Sequence, residues 1–284
     1  MFKFIKNIFN ALFNANKVSI DNLKFGLIPD KKDDRDYIKK LPLKIGVSPK
    51  TFSLRKYVPG GILNQKNTNA CTGYAAANAM NILINRMLEL TSKESNYKFK
   101  KVSPLWLYYY ARKYDFSLTT KDEGGTLRAV VQAMKDPGAV VIDSMDENYS
   151  PTQEPPNNLY NLPKYKISSY LRIEKNKDTI ETIQRCLDIE HLPVLCGIKL
   201  YEYSVMDAYL NGGILKYNDR TMNRCLGGHA LCIIGYRQID NEIYFEVVNS
   251  WGSLSGDSGF YYFPAKICET EDLVDLWTFD KKYF

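Results

Sequence analysis

The residues able to do chemistry are few enough to weigh one at a time, because the chain holds only two histidines and six cysteines among 284 residues. His229 follows Gly227 and Gly228 and opens the apolar run Ala230-Leu231-Cys232-Ile233-Ile234-Gly235-Tyr236. That pattern reads as a strand with the imidazole at its edge, beside a flexible turn. His191, in Ile189-Glu190-His191-Leu192-Pro193, falls in a loop and reads as a surface residue. Cys71 stands where the longest helix should begin, with Asn69 as its cap. Unpaired amides and the positive end of the dipole favour a thiolate there. A thiolate is the nucleophile that acyl transfer needs, and a nearby imidazole could pair with it and later protonate a leaving amine. The competing readings are ordinary ones, a cysteine acting as a small buried hydrophobe and a histidine built into a core.

Cys71, Cys186, Cys196, Cys225, Cys232 and Cys268 are too sparse for a disulfide framework, and none forms a Cys-x-x-Cys pair. Cys225, His229 and Cys232 could approach one another, but a structural zinc needs four ligands and no fourth is near. Neither a metal nor a cofactor is expected. With 45% apolar and 25% charged residues the chain can bury a large core. Its +6 charge is scattered, which does not point to nucleic acid.

Stepping along the chain, residues 1–48 form a Lys- and Asp-rich extension, in which Phe2, Ile5, Phe9 and Leu12 mark a short amphipathic helix over residues 1–13. Interruption by Asn7, Asn10 and Asn14 makes it a poor secretory signal, and docking on its own protein is favoured over a membrane surface. No window nears the roughly 20 apolar residues that span a bilayer. Helices are expected over Cys71–Leu90, with Tyr74, Ala77, Met80, Leu83 and Met87 on its buried face, over Ser103–Tyr114 and over Thr126–Met134. Strands are expected over Val194–Leu200, Ala230–Tyr236, Ile243–Asn249 and Phe260–Phe263. Helices first and strands second argue for an α+β protein of two lobes.

The reactive residues sit in a pattern that resembles the papain family of cysteine proteases. Gln65 precedes Cys71 by six positions in Asn64-Gln65-Lys66-Asn67-Thr68-Asn69-Ala70-Cys71, Gly228-His229-Ala230-Leu231 resembles the family's histidine strand, and Asn249-Ser250-Trp251-Gly252 its asparagine motif. The resemblance spans about residues 50–284. It implies a helical lobe carrying Cys71, a β-rich lobe carrying His229 and Asn249, and an active-site cleft between them. It further implies that Asn249 orients His229, that Trp251 shields that contact, and that Gln65 with the Cys71 amide holds the oxyanion. Gly124, Gly125 and Gly228 would then line the path of an extended substrate, although Gly124-Gly125 also reads as a plain loop before a helix. Thr68 and Thr72 depart from the family's usual cysteine and aromatic, so the associated disulfide is not expected, and Gly228 replaces a polar residue. With His191 and His229 alone, a carboxypeptidase-type histidine pair is unsupported and endopeptidase action is the simpler expectation.

The division is thus 1–48 as an extension and 49–284 as catalytic domain. The extension is read as an inhibitory pro-segment lying across the cleft, a polypeptide as the substrate, and the protein as a monomer. Two other readings stand beside a thiol endopeptidase: a catalytically silent papain-fold protein that keeps a peptide groove, and a thiol amidase acting on non-peptide amides. The compartment is left open between cytoplasm, acidic vesicle and virion.

Overall fold

The computed structural model describes residues 23–41, 48–92, 98–116, 120–143, 149–215 and 224–280. The amphipathic segment expected over residues 1–13 lies outside them. In chain order the elements are β1 (Thr51–Ser53), α1 (Cys71–Thr91), β2 (Lys101–Val102), α2 (Pro104–Phe116), α3 (Leu127–Lys135), β3 (Ala139–Ile142), α4 (Asn157–Tyr160) and β4 (Lys164–Tyr165). The second part comprises β5 (Tyr170–Arg172), α5 (Thr179–Asp188), β6 (Val194–Tyr201), α6 (Glu202–Leu210), β7 (Cys225–Ile239), β8 (Glu242–Val248), β9 (Phe260–Pro264) and β10 (Leu273–Phe279).

A seven-stranded antiparallel sheet runs β5-β10-β6-β7-β8-β9, with β1 also paired to β7, and a small sheet runs β2-β3-β4. Helices α1, α2 and α3 pack on one another, and α1 also packs against β7, so the helical and β-rich lobes meet along α1. The α+β, two-lobe expectation therefore holds.

Helix α1 forms because its sequence is Ala-rich and free of proline. Every residue from Cys71 to Asn85 is buried, not one face alone as the apolar spacing predicts, since helices cover one side and the sheet the other. Two of its asparagines are tolerated inside because they bond to the backbone of the segment leading into α2. Asn81 Oδ1 accepts the Val102 amide at 2.9 Å, and Asn85 exchanges bonds with the Lys100 amide and carbonyl at 2.7 and 3.0 Å. Ser103 caps α2 by accepting the Trp106 amide at 2.9 Å, and Thr126 caps α3 by accepting the Ala129 amide at 3.0 Å.

Three expectations need correcting. The second half is not purely stranded, because α5 and α6 lie within it; Thr182, Ile183, Cys186 and Leu187 give α5 a buried face at helical spacing. Strand β10, unforeseen, places Trp277 in the core. Strand β7 is fifteen residues long, so His229 lies within it opposite Ile198 of β6 rather than at its start. Gly227 and Gly228, read as a turn, instead continue the ladder opposite Leu200 and Lys199.

Candidate active site

Cys71 is the first residue of α1, and the cap before it is Ala70, which has no capping side chain. Asn69 does not cap the helix as its position suggests. Its side chain donates to the Asp122 carbonyl at 2.6 Å and its amide to Asp122 Oδ2 at 2.9 Å. The end of α1 is thereby left open beneath the sulfur. Burial pushes the Cys71 thiol up to about 11, more than backbone N–H groups of Ala230, Gly26, Thr72 and Cys71 itself can offset.

The Nε2–H of His229 donates to Asn249 Oδ1 at 2.9 Å, and that oxygen also accepts the Ser250 amide at 2.7 Å, which fixes the carboxamide's direction. Nδ1 is left as the nitrogen with a lone pair, buried and without a hydrogen-bond partner. The Trp251 ring stacks on the imidazole, 4.9 Å between centroids and 27° between planes. Burial holds His229 down to about 4, its bond to Asn249 opposing this only in part. Burial thus works against charge on both groups.

Gln65 joins them through Ser250, a residue that sequence reasoning passed over. The Gln65 amide donates to the Ser250 carbonyl at 2.8 Å, and Ser250 Oγ donates to Gln65 Oε1 at 2.5 Å. Nε2 is thereby turned outward, where it donates to the carbonyls of Thr68 at 2.7 Å and Lys24 at 3.2 Å.

The Lys24 contact introduces the largest feature of the site: residues 23–30 run straight through it. Phe25 sets its ring edge-on to His229 and Trp251 at 5.9 and 6.2 Å. The Gly26 amide reaches the Cys71 sulfur, and a Cβ on Gly26 would lie 1.9 Å from the Asn69 carbonyl oxygen. Leu27 bonds its amide to the Gly228 carbonyl at 3.1 Å and pairs in parallel with Gly125, which donates to the Gly26 carbonyl at 2.9 Å and accepts the Ile28 amide at 3.0 Å. Gly124 is held by the Tyr108 hydroxyl, to which its amide donates at 2.9 Å; a Cβ there would meet the Gly26 carbonyl oxygen at 2.1 Å. Cys71, His229, Asn249, Gln65, Gly124, Gly125, Gly228 and Trp251 are thus brought together around one stretch of chain.

Beyond the cleft, Asp30 and Asp36 fasten this stretch to Arg128, Arg172 and Trp277. Residues 37–39 then add to the edge of the large sheet, with Lys39 and Tyr37 bonded to the backbone of Arg172 at 2.7 and 2.8 Å. Among the described residues no three His, Cys, Asp or Glu side chains converge on a metal position, and all six cysteines are free. No helix of the described residues is long and apolar enough to cross a membrane. His191 sits half-buried in a loop, its ring 5.5 Å from that of Phe52.

The model of the papain family cysteine proteases matches residues 48–274. An uncharacterised peptidase C1-like protein of Acanthamoeba polyphaga mimivirus is 30% identical over 279 residues, covering 89% of this chain and 85% of that one. A cathepsin B-like cysteine proteinase of Ostertagia ostertagi is 32% identical over 117 residues, 40% of this chain and 62% of that one. Among solved structures, xylellain, a cysteine protease from Xylella fastidiosa, superposes with a TM-score of 0.70 at 22% identity, over 90% of this chain and 95% of that one. A procathepsin B from Trypanosoma congolense superposes at 0.69 and 15% identity, over 99% and 97%. At those identities the two structures speak for the fold.

Proposed function

The chain belongs to the papain family and is a cysteine peptidase, and on that premise we propose that it cleaves polypeptides through Cys71 and His229 and that residues 1–48 are an inhibitory pro-segment. The observation that carries this reading is residues 24–28 threaded between Gln65, Cys71, His229 and Gly125.

With that stretch withdrawn, water returns to the cleft and the desolvation that works against charge on both groups is relieved. The proton then passes from the Cys71 sulfur to Nδ1 of His229, and the helix end and nearby amides favour the thiolate. The thiolate adds to the scissile carbonyl carbon. The oxyanion so formed takes hydrogen bonds from Gln65 Nε2, freed from the Lys24 carbonyl, and from the Cys71 amide. Collapse breaks the carbon–nitrogen bond as His229 gives its proton to the departing amine, leaving a thioester. His229 then takes a proton from water, whose oxygen attacks the thioester, releasing the acid and restoring the thiol. Throughout, Asn249 holds the ring and Trp251 keeps water from their bond.

Chain direction explains why the resident stretch would not be cut. The departing amine is the carboxyl-terminal half of a substrate and must sit beside His229. Here the half beside His229 and Trp251 is amino-terminal, Lys24 and Phe25, while Leu27 and Ile28 lie along Gly125. A peptide bound for cleavage runs the opposite way.

The test is labelling of the full chain by an epoxysuccinyl thiol-protease inhibitor, followed by intact mass. Gly26→Val cannot seat against Asn69 and should label at least about tenfold faster than the wild type, with Cys71→Ala unlabelled and His229→Ala much slower. Equal rates for wild type and Gly26→Val would sink the pro-segment, and labelling indifferent to His229 would sink the catalytic pair.

A further inference from the structure

Asp30 sits in a carboxylate socket made of an indole N–H, a backbone amide and a guanidinium at ion-pair distance, and every one of these groups belongs to the body of the protein. The Asp30 side chain is fully buried; its Oδ2 accepts the Trp277 indole N–H at 2.7 Å and lies 3.9 Å from Arg172 Nη1. Its Oδ1 accepts the Arg128 amide at 3.1 Å, in the first turn of α3, where the helix dipole favours a negative charge. Beside it Asp36 takes both arms of Arg128, Nε at 2.9 Å and Nη2 at 2.5 Å, and stands 3.4 Å from Arg172 Nη1. The two guanidinium groups each lie 5.6 Å from the Trp277 ring, and Asp275 binds Arg172 Nη2 at 2.8 Å while accepting the Asp30 amide at 2.9 Å.

When residues 1–48 leave, both bound carboxylates leave with them. What remains is Arg128 without the carboxylate that took both its arms, though still within reach of the Asp115 charge, Arg172 held by Asp275, an indole N–H without its acceptor, and the Arg128 amide in the first turn of α3. Such a group is short of acceptors for the Arg128 guanidinium and the Trp277 indole, and leaving buried donors unpaired is costly. Its place is equally informative. Asp30 lies four residues from Gly26, about 13 Å of extended chain at roughly 3.3 Å per residue, on the Gly125 side of Cys71. A substrate oriented for cleavage lays its amino-terminal half there.

We propose that Arg128, Arg172 and Trp277 form a substrate subsite for an acidic side chain, within about four residues before the bond to be cut, and that Asp30 occupies it until the segment is released. This rests on the reading of residues 1–48 as a departing pro-segment. The enzyme would accordingly act on acidic stretches of polypeptide, with the pro-segment presenting the same chemistry in the reverse direction.

Binding tests this without calling on catalysis. The full chain carrying Gly26→Val, Asp30→Asn, Asp36→Asn and Cys71→Ala has a segment that cannot seat, an empty socket and no nucleophile. Fluorescence anisotropy would compare blocked hexapeptides bearing one glutamate, moved through the four positions before the intended scissile bond, with their glutamine counterparts. At one position glutamate should bind about tenfold tighter than glutamine, and adding Arg128→Gln should remove the difference while near-UV circular dichroism stays native. Equal binding of every pair, or no binding of either peptide, would overturn the subsite. Turnover by the Cys71-containing chain decides the peptidase reading separately, so the two cannot fail as one.

Discussion

Ser250 connects the groups that would hold the oxyanion to those that would move the proton. Its amide donates to Asn249 Oδ1 and its hydroxyl to Gln65 Oε1, so one residue sets the direction of two carboxamides. Only the second bond depends on the side chain. Ser250→Ala should therefore leave the His229–Asn249 pair intact and loosen Gln65 alone. Since an oxyanion is bound in the transition state and not before, kcat should fall up to about tenfold with KM unchanged, less than the roughly 100-fold or greater loss for Gln65→Ala, and Ser250→Thr should recover it. A change in KM alone would mean that Ser250 acts on substrate binding instead. The sequence made Gln65, Cys71, His229 and Asn249 legible because few residue types suit these roles and their order is distinctive. It left Ser250 silent, because a serine gains this task only from what lies across the cleft.

The element that governs the site is the stretch from Leu23 to Ile38, without regular structure and turning at 34–36, and no periodicity reveals it. Gly26 and Leu27 fit because Gly124, Gly197 and Gly228, from distant parts of the chain, present bare backbone to them. Its release should depend on pH mainly through Asp275, with Asp115, raised by burial and by Asp30 against its bonds from Thr126 and the Arg128 charge, acting in the same direction. Asp275 is pushed up to about 6 by burial and then by the Asp30 carboxylate, against the Asp30 amide, Arg172 and Arg128. The catalytic pair adds nothing between pH 5 and 7, since opening moves a proton from Cys71 to His229 and takes none from solvent. For Asp275 the closed state, with the Asp30 carboxylate against it, holds a proton more tightly than the open state, from which that charge and its cover have gone. Closure therefore strengthens as pH falls from 7 to 5, and opening should become up to about tenfold rarer. Amide exchange of Leu27 and Ile28, corrected for intrinsic rates, reads this directly, and Asp275→Asn should remove most of it. Opening that instead grows more frequent in acid, in wild type and Asp275→Asn alike, would place the controlling group elsewhere.

At the scale of the whole molecule, α1 is both the support of Cys71, the proposed nucleophile, and the seam between lobes. Its apolar character was plain from sequence. That it is enclosed on every side was not, because enclosure depends on β7 and α2, which arrive from separate parts of the chain. The close approach of α2 is permitted by Gly73, two residues after Cys71. A Cβ there would lie 2.5 Å from the Pro104 carbonyl oxygen and 2.6 Å from the Tyr108 Cβ, both too near the backbone to swing aside. Tyr108 in turn holds Gly124 and Asp122, with its hydroxyl 2.6 Å from Asp122 Oδ1, so a shift of α2 is transmitted to the cleft wall. Gly73→Ala should destabilise the fold by about 2 kcal/mol, as overpacking does, and should slow turnover in the molecules that remain folded. Gly60→Ala, where nothing lies within 4 Å, is the control and should be close to neutral. Urea unfolding with parallel activity measurements tests both effects. Matching stability for the two variants would mean that α1 and α2 tolerate separation at Gly73, and that the position of Cys71 is secured by the sheet alone.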